Sequence, residues 1–411
     1  MAIIKPFKAL RPRPDLADKV AALPYDVMNS EEAKIMVQGN DYSFLRIDRG
    51  EINFAEMPDP HEPMVYAKAR EILDRMVQEG HLIQDKEDCL YIYRQIMDGR
   101  AQTGLVACAS VDDYNNNVIK KHEFTRPDKE QDRIDHIKAL HAQTGPIFQT
   151  YRDQAEVTRV INEWIDDHKP VYEFSAHNVD HICWVIDCPT TVQKLVDLFA
   201  AIDYLYIADG HHRSAAACRV GMEMRQENPD PKAEFNYFLS VIFPASDLKI
   251  WPYNRVVVDL NNYSEAEFLQ KVEESFVVER APSSPFEPTE RQSYGMYLGD
   301  TWYKLTPKPG LVDTEDIIKD LDVAVLQDHL LEPILNIQDP RRDSRIDFVG
   351  GIRGVGELER RVKEGMQVAF SMYPTSIDEI FDVADSNQVM PPKSTWFEPK
   401  LLSGLFIHKL S

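Results

Sequence analysis

Long apolar runs, paired cysteines and positive charge are what this chain has little of. None of its 411 residues falls in a stretch approaching the roughly 18 consecutive apolar positions that a membrane-spanning helix needs. The five cysteines, Cys89, Cys108, Cys183, Cys188 and Cys218, are odd in number, scattered, and without a C-x-x-C pair. That excludes a disulfide framework or a cysteine zinc site as the reading and favours small hydrophobes in a reducing compartment. Met1 to Leu10 carries Lys5, Pro6 and Lys8 and lacks the apolar block and cleavage site of a secretory signal, so a cytoplasmic location is expected. Lys and Arg number 46 against 68 Asp and Glu, a formal charge of -22, which opposes a surface built to grip nucleic-acid phosphates. Without a fixed-period repeat or a low-complexity tract, solenoids and propellers are also excluded.

What is there is ordinary globular usage: 43% apolar, 10% aromatic and 28% charged residues. At this length two lobes are favoured over one continuous core. The proline-rich stretch Pro282 to Thr289 is the best candidate for a boundary or a long surface loop, with a boundary slightly earlier, near Leu260, as the alternative. Alternation predicts an opening strand over Ile3 to Leu10, and Asn29 or Ser30 can cap a helix beginning Glu31-Glu32. Helical spacing of Val65, Ala69, Ile72, Leu73, Met76 and Val77 predicts a helix ending at Glu79-Gly80. Two strands, Leu90 to Met97 and Gln102 to Val111, flank the hairpin signal Asp98-Gly99. Helices follow over Asp128 to Ala142, Val157 to His168 and Thr191 to Ile202, and strands over His181 to Asp187, Leu205 to Ala208 and Tyr237 to Phe243. The remainder mixes strands with helices, which makes the class α+β with mixed sheets.

Chemistry concentrates at Ala208-Asp209-Gly210-His211-His212-Arg213, between a predicted strand and a helix predicted from Ser214. A glycine turn entering a helix presents unpaired N–H groups and the positive end of the helix dipole, so an anion is the natural guest. Arg213 adds a two-pronged contact for phosphate or carboxylate, and the histidines add donors or proton-transfer capacity. Asp209 can bind a hard cation such as magnesium or orient a histidine. The plainer account is a turn whose histidines cap or surface the helix. Three weaker groups accompany it: Tyr25 and Asp26 in Pro24-Tyr25-Asp26-Val27, Lys121-His122-Glu123 at a strand end, and Lys393-Ser394-Thr395 after two prolines, with Lys400 beyond. Lys129 and Arg133 read as paired charges on a solvated helix.

These segments, with Tyr253-Asn254-Arg255 and Ser403-Gly404-Leu405, resemble a widespread bacterial family catalogued as domain of unknown function 1015, over Pro6 to His408. The Asp-Gly-His-His-Arg corner is also similar to the Gly-x-His-Arg or Gly-Cys-His-Arg turn of the ParB and sulfiredoxin-like superfamily. That resemblance implies a ParB/sulfiredoxin-like core elaborated by a C-terminal α+β lobe: residues 1–260 would carry the corner and 261–411 would return a tail to the site. It further implies phosphate binding at Gly210, His212 and Arg213, as in the superfamily's free-serine kinases. His211 stands where sulfiredoxin has cysteine, so thiol chemistry is disfavoured.

The leading expectation is phosphotransfer on a small hydroxy metabolite, serine or phosphoserine first, in the kinase or phosphatase direction. Asp26 or Glu123 would activate the acceptor, and Asp209, His211 and His212 would share proton and charge handling. Tyr25, Lys121, His122, Gly210, Arg213, Ser214, Asn254, Arg255, Lys393, Ser394, Thr395 and Lys400 would bind substrate or phosphate. ATP or ADP with Mg2+ on Asp209 is the expected cofactor. Partners are a phosphate or amino-acid substrate, with neither nucleic acid nor membrane, and a homodimer is compatible with the chain. The alternative is a nucleotide-binding switch of ParB type without catalysis.

Overall fold

The computed structural model describes all 411 residues, which divide into two compact units. Unit 1 comprises Met1–Lys121, Thr125–Leu248 and Pro399–Ser411, and unit 2 comprises His122–Phe124 and Lys249–Glu398. Helices and mixed sheets together make the chain α+β. No helix is long and apolar enough to cross a membrane.

The frame of unit 1 is a nine-stranded sheet. Its strands are β1 (Ile4–Lys5), β2 (Leu90–Met97), β3 (Arg100–Ser110), β4 (Ile119–Lys120), β5 (Ile147–Tyr151), β6 (Tyr172–Ala176), β7 (Val179–Ile186), β8 (Leu205–Asp209) and β9 (Tyr237–Pro244). They run in the order β4-β8-β5-β9-β3-β2-β7-β6, with β1 beside β3. The β8–β4 and β9–β5 pairs are parallel and the rest antiparallel. β2 and β3 form the expected hairpin, because Asp98 and Gly99 both take positive φ, 52° and 76°, as a tight primed turn requires. The opening strand is shorter than its alternation predicts: β1 ends at Lys5, before Pro6, which has no N–H to give a ladder.

The longer helices of unit 1 are α1 (Ser30–Met36), α2 (Pro63–Gln78), α3 (Pro127–Leu140), α4 (Ala155–Asp167), α5 (Pro189–Phe199) and α6 (His211–Glu227). Asn29 and Glu32 close a reciprocal capping box on α1. One core packs Leu90, Ile92, Leu105, Ile147, Ile207 and Phe238 of the sheet against α4, α5 and α6. A second core gathers Phe44, Ile72, Leu73, Met76 and Ile407 around α2. The last residues belong here: His408–Lys409 pairs with Ala142–Gln143, and bridges join Leu10 to Ile407 and Ala22 to Ser403.

Unit 2 holds a six-stranded, wholly antiparallel sheet of β10 (Tyr253–Val257), β11 (Phe276–Arg280), β12 (Tyr294–Leu298), β13 (Thr301–Pro307), β14 (Ile346–Gly350) and β15 (Val368–Ser371). Its order is β11-β13-β12-β15-β10-β14. Pro282 to Thr289 lies within this unit, in the connection from β11 to β12. The helix expected over Val323 to Leu330 is α7 (Asp322–Leu326), which continues as a π turn over Gln327–Leu331.

Candidate functional site

β8 delivers its last residue, Asp209, to the edge of a turn formed by Gly210, whose φ of 97° is open to glycine and costly for other residues. α6 starts directly after it. His211, His212 and Arg213 therefore occupy the first helical turn, where sequence reading had the helix open at Ser214. The turn is tight because Gly210 N–H donates to Asp209 Oδ1 at 2.8 Å. The three following N–H groups belong to a first helical turn, which supplies them no intrahelical acceptor.

Two cations flank the one carboxylate. Lys400 Nζ lies 3.2 Å from Asp209 Oδ2, and Arg213 Nη2 lies 3.9 Å from the same oxygen. Burial alone would raise the Asp209 carboxyl, but Lys400 and Arg213 overcome it and hold it well below the usual carboxylate range. Arg213 is buried; its Nη1 donates to the Pro146 carbonyl at 2.5 Å, and its Nε has no partner. Ser214 turns its hydroxyl back on the Gly210 and His211 carbonyls, which leaves it nothing to offer a phosphate. His211 is buried in the turn, and His212 Nε2 accepts from Arg126 N at 3.0 Å. Accepting that N–H takes the lone pair of Nε2, and burial lowers the His212 pKa in keeping with it.

Tyr25 and Arg213 line the same small cavity, about 30 Å³, together with Asp48, His136, Thr144 and Ser403. That space holds a water or two. A second cavity of about 190 Å³ shares Tyr25, Asp48, Arg133 and His136 and adds Asp26, Glu51, His61, Lys129 and Asp132. Arg49 fixes the Tyr25–Val27 turn by donating to the Tyr25 carbonyl from Nε at 2.9 Å and from Nη2 at 2.6 Å. Asp26 itself is exposed.

On α3, Lys129 is exposed as a solvated face requires, whereas Arg133 is not on that face. Arg133 and Asp132 are buried; Arg133 pairs with Asp132 at 2.6 Å and lies 3.8 Å over the Tyr25 ring. Burial pushes the Tyr25 phenol up to about 12, and burial followed by Arg133 brings His136 down to about 4. Sequence reading missed Asp48, Arg133, His136 and Thr144. The available signal was positional: Arg133, His136, Ile137 and Leu140 share one helical face, so polar groups at 133 and 136 travel inward with the apolar ones.

The other expected residues are placed as follows. Lys121 gives its ammonium to the Tyr114 carbonyl at 3.0 Å and to the Tyr114 ring, and burial lowers its pKa. His122 and Glu123 belong to unit 2, where the His122 carbonyl accepts from Met390 N at 2.8 Å and His122 Nε2 lies 3.4 Å from Thr395 Oγ1. Asn254 is fully buried and accepts from Met372 N at 2.9 Å. Ser394 donates to the Pro391 carbonyl at 2.6 Å, Lys393 takes a φ of 61°, and Arg255 is buried beneath them, donating to the Lys393 carbonyl at 3.2 Å. A protein-held metal does not fit: no group of three or more His, Cys, Asp or Glu side chains is arranged to hold one, and Asp209 is already shared by Lys400 and Gly210.

With the α+β frame and the Asp209–Arg213 corner described, the sequence can be set beside known proteins. Residues 4–324 match the family model described as DUF1015, protein of unknown function, and the chain belongs to that family. No curated protein matches. Among solved structures, a free serine kinase variant in complex with AMP is 15% identical, covers 71% of this chain and 87% of its own, and has a TM-score of 0.36. SbnI with a C-terminal truncation, from Staphylococcus aureus, is 14% identical over 72% of this chain and 85% of its own, TM-score 0.38. A conserved hypothetical protein from Pyrococcus furiosus is 14% identical over 73% and 94%, TM-score 0.34. Likenesses of this size carry no argument about activity.

Proposed function

We propose that unit 1 is a phosphotransfer enzyme acting on a small hydroxy metabolite, with serine or phosphoserine as the first candidates. One observation carries the reading: at the positive end of a 17-residue helix, two cations, Lys400 and Arg213, face the single carboxylate of Asp209. An oxyanion at this helix start would meet both cations together with the positive end of the helix dipole. The Gly-x-His-Arg resemblance of the turn to the ParB and sulfiredoxin-like superfamily agrees with that reading.

In this scheme the phosphoryl group rests against the first turn of α6, with Arg213 and Lys400 compensating its charge through the transition state. The 190 Å³ cavity takes the acceptor: it is below the roughly 300–1,000 Å³ of drug-sized sites and suits a small metabolite. Asp26, exposed on that cavity's wall in the same unit as the corner, accepts the proton of the attacking hydroxyl. A water in place of the hydroxyl gives phosphatase chemistry with the same groups. Magnesium, where a nucleotide is the donor, would arrive with the nucleotide.

The test is a screen of free and phosphorylated hydroxy amino acids with ATP, ADP and magnesium, read by product mass, on the wild type and on Lys400→Gln. Turnover that falls at least tenfold in the variant supports the scheme. Nucleotide-dependent dimer rearrangement without a small-molecule product would favour the switch. No turnover and no nucleotide-induced rise in Tm would discard both.

A further inference from the structure

Arg255 carries a charge that unit 2 does not neutralise. It sits on β10 between β14 and β15 and is 3% exposed. Its donors reach only main-chain carbonyls, those of Tyr253 and Lys393, and its guanidinium lies 5.5 Å from the Phe348 ring centroid. No Asp or Glu is among its electrostatic partners, which are Tyr253 and Tyr294, and burial brings its pKa down to about 10. Buried charges in proteins are ordinarily paired with an opposite charge or held for a ligand.

Arg255 opens on a cavity of about 330 Å³. That volume falls within the roughly 300–1,000 Å³ range of small-molecule sites. Phe348, Leu331, Pro340 and Pro391 supply apolar wall, and the π turn Gln327–Leu331 contributes Gln327 and Asp328. Single π turns inside helices occur frequently at functional sites. Asp328 and Glu332 also line the space, and their carboxylates disfavour a polyphosphate.

We propose that this cavity binds an organic acid with one acid group, carboxylate or phosphate monoester, seated on Arg255, and an apolar body against Phe348 and the prolines. The site lies wholly within unit 2 and stands apart from the phosphotransfer reading. A planar guanidinium fork matches either acid bidentately.

Benzoate and phenyl phosphate are the probes for the two acids, with benzyl alcohol as the neutral counterpart. One or both acids should raise the Tm by about 2–4 °C at saturation, and benzyl alcohol should not. Arg255→Met should abolish that rise while melting no lower than the wild type without ligand, since it removes an unpaired buried charge. Lys400→Gln, in the other unit, should keep the rise. If Arg255→Met does not fold, Arg255→Lys must weaken the response at least threefold. The proposal is overturned if neither acid shifts the wild type, if benzyl alcohol matches them, or if the Arg255 variants respond as the wild type does.

Discussion

Gly210 shows how much rests on one missing methyl group. At φ 97°, a Cβ there would stand 3.1 Å from Arg213 Nε, so Gly210→Ala combines left-handed strain with pressure on the guanidinium. The expected loss is about 1–2 kcal/mol in urea unfolding, together with weakened phosphate binding. Asp26→Asn is the contrasting case. Because Asp26 is exposed, its variant should keep stability within about 0.5 kcal/mol while turnover falls by about 10²–10⁴-fold; unchanged turnover would remove Asp26 as the base. His181 sets a pH dependence. It is buried on β7 with Nδ1 2.7 Å from the Tyr93 hydroxyl, and burial brings its pKa from 6.5 to about 4. The unfolded chain takes up a proton that the folded state refuses, so this contribution is whole above about pH 6.5 and drains away as pH falls toward 4. His136 acts in the same direction. Denaturant unfolding at pH 7 and pH 5 should show lower stability at pH 5, with a smaller drop in His181→Phe; equal drops in both proteins would refute the assignment to His181.

At the scale of elements, β3 and its antiparallel neighbour β9 pack too closely to admit a methyl group at Gly104. A Cβ on Gly104 would meet Val241 Cγ1 at 2.6 Å and Phe243 Cε1 at 2.8 Å, so Gly104→Ala should cost about 1–3 kcal/mol by urea denaturation. The elements were largely legible in the sequence: the β2–β3 hairpin announced itself through Asp98-Gly99, and α2 through its apolar spacing and the Glu79-Gly80 stop. α3 was legible as a helix and misread as to its face. Its charged residues outnumber its apolar ones, and composition alone does not say that Asp132 neutralises Arg133 inside the protein while Tyr66 and His61 complete the carboxylate's hydrogen bonds. The corner was legible because glycine, histidines and arginine adjoin in sequence. Asp48 and Thr144, joined at 2.8 Å across 96 positions, were not, since no local pattern reports a contact made by tertiary folding.

The molecule as a whole is organised by a chain that leaves unit 1 at Leu248 and comes back to it at Pro399. The returning segment buries Leu401, Leu405, Phe406 and Ile407 and brings Lys400 to Asp209. A chain stopped after Glu398 should therefore melt well below the full chain by circular dichroism and lose turnover; an unaltered melt would show the segment to be an accessory. The same route has a kinetic side. On the ribosome, β8 and the first turn of α6 are made early, yet the lysine that completes their charge pattern emerges only after residues 249–398 have been translated, a wait on the order of 10 s. Until then the nascent corner lacks one of its cations and part of its cover, so the half-made protein is a natural client for chaperones.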